Sequence, residues 1–199
     1  MGAWEAAVTT NVREIERALR AEFETLAFAK SDFPMLTDWG VEDFSVTIHS
    51  LGCNYLSALG RKVGCWAMSE YPVRVSLGGT GYSVRPDVAW WSRPTPAVAL
   101  LGEFERFEPG QRNLIGKARN LLRTHHELGE EPRVLLLMAW AIAGTDLRGL
   151  DEVRAVSHDG FRTSDGLVVP GLGTESRFVL VTAVFGGPEE RRRLQAVQA

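Results

Sequence analysis

Tyr71-Pro-Val-Arg-Val-Ser-Leu77, Gly78-Gly-Thr-Gly81 and Tyr82-Ser-Val-Arg-Pro-Asp-Val-Ala-Trp-Trp91 form the run that decides the fold. Two strand-like segments meet at a glycine turn. The turn lacks the downstream Gly-Lys-Ser/Thr of a phosphate-cradling loop, so it reads as a hairpin. A third strand follows, Ala97-Val-Ala-Leu-Leu-Gly-Glu-Phe-Glu-Arg-Phe107, and after Pro109-Gly110 comes an amphipathic helix from Gln111 to Leu128. Glu70, Asp87, Glu103 and Glu105 sit at or near the ends of these apolar strands. Carboxylates there are costly to bury unless they are paired or hold a metal.

Period-2 alternation puts Ala99, Leu101, Glu103 and Glu105 on one face of the third strand and Val98, Leu100, Gly102 and Phe104 on the other. The two glutamates therefore project to the same side, and Asp87 stands in the strand before. In the helix that follows, Leu114, Ile115, Ala118, Leu121, Leu122 and His125 make the apolar face. Lys117 lies at its flank, and Arg112, Arg119 and Arg123 form a stripe on the far side, away from the sheet. Arg133 to Trp140 is a near-continuous apolar run, as a central strand covered on both faces requires.

Upstream, Trp4, Val8, Val12, Ile15, Leu19, Phe23 and Leu26 recur at helical spacing, predicting one helix from Trp4 to about Ala29. Glu22 lies at the edge of that stripe; it either looks into a site beneath the helix or is a solvated surface glutamate. Ser31 to Gly40 is a connection, and Val41 to Val63 reads as a helix that Gly60 would end, despite Gly52 within it. His49 belongs to its polar edge. Downstream, Arg148 to Val156 is a short helix, Arg177 to Phe185 a last strand, and Pro188 opens a charged terminal helix. His125-His126 has no Cys/His partners at zinc-ligand spacing.

Composition narrows the function classes. The chain has 199 residues, 45% hydrophobic and 24% charged, enough for one well-cored domain spanning 1–199. A net charge of −3 argues against a generally basic nucleic-acid coat but leaves room for a local basic groove. Cys53 and Cys65 are too few for a disulfide framework and read as small buried hydrophobes. Nothing resembles a secretory signal, and no apolar run approaches the roughly 20 residues of a membrane span. A cytoplasmic location is expected.

The order helix, strand, strand, strand, helix, strand, together with Arg85-Pro-Asp87 and Gly102-Glu-Phe-Glu105, resembles the core of the PD-(D/E)XK nuclease superfamily over roughly Glu70 to Trp140. The resemblance implies an α/β fold: a single restriction-endonuclease-like αβββαβ domain whose central mixed sheet is flanked by helices. It implies a metal-dependent nuclease that hydrolyses phosphodiester bonds of nucleic acid, DNA ahead of RNA, with Mg²⁺ or Mn²⁺ as cofactor. Asp87 and Glu103 would be metal ligands, with an upstream Glu joining them: Glu70 first, Glu22 second. This sequence departs from the pattern at the third motif position, where the family usually has Lys and Glu105 stands here. Either Glu105, or Lys117 reaching across from the helix, would orient the attacking water. The alternative is an inactive member of the same fold that binds nucleic acid or protein. Homodimerisation is left open.

Overall fold

The computed structural model describes residues 3–75, 82–93, 95–164 and 166–199, with backbone alone for 3–11 and 82. A six-stranded sheet runs through it in the order β1-β4-β5-β6-β9-β10. The strands are β1 (Trp66–Ser69), β4 (Val88–Trp91), β5 (Val98–Arg106), β6 (Val134–Ile142), β9 (Arg177–Gly186) and β10 (Arg193–Gln198). The middle three are parallel and the outer pairings antiparallel, so the sheet is mixed. Two small ribbons stand apart from it: β2 (Val73–Val75) with β3 (Tyr82–Val84), and β7 (Phe161–Arg162) with β8 (Val168–Val169).

Helices cover both faces. On one side lie α1 (Ala3–Thr25), α2 (Ala27–Asp32) and α3 (Phe44–Lys62), whose apolar residues pack on Val88, Trp90, Leu100, Phe104, Leu136 and Met138. On the other lie α4 (Arg112–Glu127) and α5 (Leu150–Asp159), over Ala89, Leu101, Leu135, Leu137 and Ala139. Every residue of β6 from Val134 to Ala141 is buried, as its continuous apolar run requires. The α/β expectation, a mixed sheet flanked by helices, holds. No helix of the described residues is long and apolar enough to cross a membrane.

The expected long first helix is broken at Leu26, whose φ of 53° is left-handed. Glu22 explains the break. It is 5% exposed, and the amides of Phe28 and Ala29 donate to its Oε2 and Oε1 at 2.8 and 2.9 Å. Its carboxylate therefore caps the positive end of α2. The Tyr55 hydroxyl also donates to Oε1, at 2.8 Å. Glu22 is thus neither solvated nor a site residue. Val12, Ile15, Leu19, Phe23 and Leu26 line the core as expected, whereas the side chains of Trp4 and Val8 lie outside the described residues.

The helix expected at 41–63 forms as α3 from Phe44 to Lys62, while Val41 bridges to Arg192, and Gly52 and Gly60 are contact points within the helix. A Cβ at Gly52 would lie 2.3 Å from the Phe104 ring, and one at Gly60 2.6 Å from Trp90 Nε1. The absent side chains let α3 lie close on the sheet. The hairpin is present as β2–β3, but it leaves the main sheet because Pro86 interrupts the second strand; its glycine turn falls outside the described residues. Two edge strands are absent from the sequence reading. β1 is one. The other replaces the expected terminal helix: after one 3-10 turn at Glu189–Arg191, β10 pairs with β9 and buries Leu194. Pro188 is extended, with ψ 153°, and the chain goes on to cover an otherwise open sheet edge.

Glu22→Ala is expected to destabilise the protein by at least about 2 kcal/mol in urea denaturation, because two amides and a phenol lose their acceptor. Stability equal to wild type would contradict the capping role.

Candidate active site at the β4–β5 notch

The ladder between β4 and β5 begins at Val88 opposite Gly102. Beyond that pair β5 runs on while its neighbour has turned away, so the edge amide of Phe104 needs an acceptor. Asp87 supplies it, with Phe104 N–H donating to Oδ2 at 2.8 Å. A Cβ at Gly102 would sit 2.7 Å from Val88 Cγ1, so glycine lets the strands close at the mouth of the notch.

Glu103 projects from β5 to the α4 side, beside Leu137 in the ladder, and is 1% exposed. The buried Asp87 carboxylate is the neighbouring charge that bears on it most. Burial, then the charge of Asp87, push Glu103 well above its ordinary value, while Lys117 acts in the opposite direction. Lys117 comes from α4, one helical turn beyond Leu114 and Asn113. Its Nζ donates to Glu103 Oε2 at 2.7 Å and lies 3.9 Å from Asp87 Oδ2 and 3.8 Å from Glu105 Oε2. Burial works against the ammonium, but Glu103 and Asp87 outweigh it and hold the group charged. One ammonium thus faces three carboxylates. Glu105 is partly exposed and accepts from the Arg106 amide at 2.8 Å.

Asp87, Glu103, Glu105 and Lys117 are therefore brought together. Glu70 is not part of that contact set. It is exposed, takes a left-handed φ of 52°, and gives its amide to the Asp87 carbonyl at 3.1 Å. Glu22 belongs to the α1–α2 junction. The arginine stripe of α4 is engaged elsewhere: the Arg119 and Arg123 guanidinium groups lie over the Phe161 ring at 5.4 and 5.9 Å. His125 is buried with Nδ1 2.9 Å from the Pro132 carbonyl oxygen, which suits a structural role.

Two residues enter from the opposite face. α3 brings His49 Nε2 to 3.4 Å from Asp87 Oδ2, and Cys53 Sγ to 3.7 Å from His49 Nδ1. Burial first, then Asp87, Glu103 and Glu70, push the Cys53 thiol up to about 12. A free Cys53 is therefore no ready nucleophile. Their spacing of four on one helix is the only sequence signal that marks them as a pair.

The residues suit a divalent cation. Asp87 and Glu103 offer oxygen donors of the type hard cations take, and among the described residues His49, Cys53 and Asp87 bring ligand atoms within 4.8 Å of one another. The chain matches no family model, no curated protein and no solved structure.

The electrostatics can be tested without substrate. The raised folded value of Glu103 means that the folded protein holds this proton more tightly than the unfolded chain does. Its contribution to stability is fully present below the ordinary value of 4.5 and is lost as pH rises through the folded value. Lys117→Met removes the compensating cation, so it should cost about 3 kcal/mol in chelator-treated protein at pH 7. That deficit should shrink as pH falls toward 4.5. A deficit independent of pH, followed by urea denaturation, would contradict the arrangement.

Proposed function

We propose that the protein is a metal-dependent nuclease that hydrolyses phosphodiester bonds of nucleic acid, with Asp87 and Glu103 holding Mg²⁺ or Mn²⁺. The observation that carries this reading is that Lys117 Nζ lies 2.7 Å from the buried Glu103 carboxylate and 3.9 Å from the buried Asp87 carboxylate. A salt bridge with purely structural duty needs one carboxylate for one ammonium. A second buried carboxylate is relieved either by holding a proton, the direction in which Glu103 is pushed, or by a bound cation. The resemblance of Pro86-Asp87 and Glu103-Phe-Glu105 to the PD-(D/E)XK pattern supports the same assignment.

When bound, the cation supplies neutralisation of the phosphate and acidification of the attacking water. The chain's own residues do the positioning. The Phe104 amide fixes the Asp87 carboxylate, and the close seating of Gly52 on the Phe104 ring holds that amide in place. Lys117 fills the place of the usual motif lysine, although it comes from the helix after the strand. It orients the water that adds to phosphorus as the bond to the leaving sugar oxygen breaks. Glu105 accepts a proton from that water, because its carboxylate is the most solvent-accessible of the three and lies 3.8 Å from Lys117. Exposed Arg85 stands two residues before Asp87 and is suited to a backbone phosphate, whereas the Arg106 guanidinium lies over the Trp140 ring at 5.5 Å.

With Mn²⁺ and single- and double-stranded DNA and RNA, the wild type should cut at least one substrate. Asp87→Ala should abolish cutting and weaken Mn²⁺ binding strongly. Lys117→Ala should lower kcat by about 10²-fold or more while leaving Mn²⁺ binding in place. Glu105→Ala should lower kcat less. Equal inactivity of wild type and all variants on every nucleic acid, with Mn²⁺ bound, would replace the enzyme with a nucleic-acid-binding or protein-interaction module.

A further inference from the structure

We propose that His49, Cys53 and Asp87 form a binding site for a borderline dication of the zinc class, with the Cys53 thiolate as a ligand. The proposal rests on the metal reading above only through Asp87, and its readout is binding rather than cleavage. The three donor atoms, one nitrogen, one sulfur and one oxygen, all lie within 4.8 Å of one another. His49 Nε2 stands 3.4 Å from Asp87 Oδ2 and 4.0 Å from Cys53 Sγ. Zinc bonds of about 2.0–2.3 Å in a tetrahedron place neighbouring ligand atoms about 3.3–3.8 Å apart. The donors therefore reach coordination by shifts of an ångström or less.

The chemistry of the donors selects the ion. Mg²⁺ takes oxygen, whereas a thiolate and an imidazole favour Zn²⁺, Co²⁺ and their neighbours. The site also has the marks of prior organisation. His49 and Cys53 are one turn apart on α3, and the Gly52–Phe104 contact seats that turn on the sheet. Asp87 is held by the Phe104 amide, which donates to the same Oδ2 that faces His49. The His49 side chain is 45% exposed, so the ion has an entry path and solvent can fill the fourth position. On binding, Cys53 forms the sulfur–metal bond and its proton leaves to solvent.

The test uses the full chain, stripped with chelator and titrated with Co²⁺ and then Zn²⁺. Co²⁺-loaded wild type should show the near-ultraviolet band of thiolate-to-cobalt charge transfer, and Zn²⁺ should remove it. Cys53→Ser should lose the band, and Cys53→Ser and His49→Ala should each weaken Zn²⁺ binding at least about tenfold. Glu103→Gln should keep the band. Thermal melts of the stripped variants confirm folding; should Cys53→Ser fail to fold, the half-exposed His49→Ala decides. No band in the wild type, a band retained in Cys53→Ser, or Zn²⁺ affinity unchanged in His49→Ala would overturn the proposal and leave Cys53 and His49 as an ordinary helix-surface pair. A wild type that shows the band but cuts nothing with Mn²⁺ would sink the nuclease and keep this site; one that cuts without the band would do the reverse.

Discussion

Two carboxylates buried against each other cannot both stay ionised without a positive charge between or beside them. Asp87 and Glu103 are such a pair, and the surrounding structure answers that constraint. Lys117 reaches in from α4 to donate to Glu103, and the Phe104 amide donates to Asp87. The same ammonium also faces Glu105 at 3.8 Å. Burial and the charge of Asp87 favour the protonated form of Glu103, which is the other part of the answer.

The backbone makes the pair through the end of a ladder. β4 and β5 separate beyond Val88 and Gly102, and the notch admits side chains from both faces of the sheet. From one face comes Lys117; from the other come His49 and Cys53, on a helix that can approach only because residue 52 has no side chain. Hard and soft donors thereby meet at one aspartate. That meeting follows from packing, since α3 and α4 never touch the same face.

How much of this was legible in the sequence depends on the range of the interaction. Strand alternation places Glu103 and Glu105 together, and helical periodicity puts Lys117 at a flank from which a long side chain can turn inward. The central parallel strand is legible because β6 is apolar without interruption. Contacts that cross the sheet are not legible. His49 looks like the polar edge of α3, and Cys53 like a small core residue, until Asp87 is seen beside them. Glu22, at the edge of the α1 stripe, leaves an inward and a solvated reading both open, because its partners are backbone amides six and seven positions on, which periodicity does not reveal. The charged stretch after Pro188 carries helix-start chemistry, yet the open edge of β9 offers it a ladder, and tertiary pairing overrides the local signal. β1 escapes because four residues with exposed Trp66 and Met68 give little alternation to read.

The central claim is that the Asp87–Glu103 pair holds a cation, and anomalous diffraction from crystals soaked in Mn²⁺ tests it most directly. The expected result is an anomalous peak about 2.0–2.3 Å from a carboxylate oxygen of each residue, with Lys117 displaced from Glu103 Oε2. Crystals that show no peak there at saturating Mn²⁺, with Lys117 still donating to Glu103, would contradict it and leave the cluster a structural salt bridge.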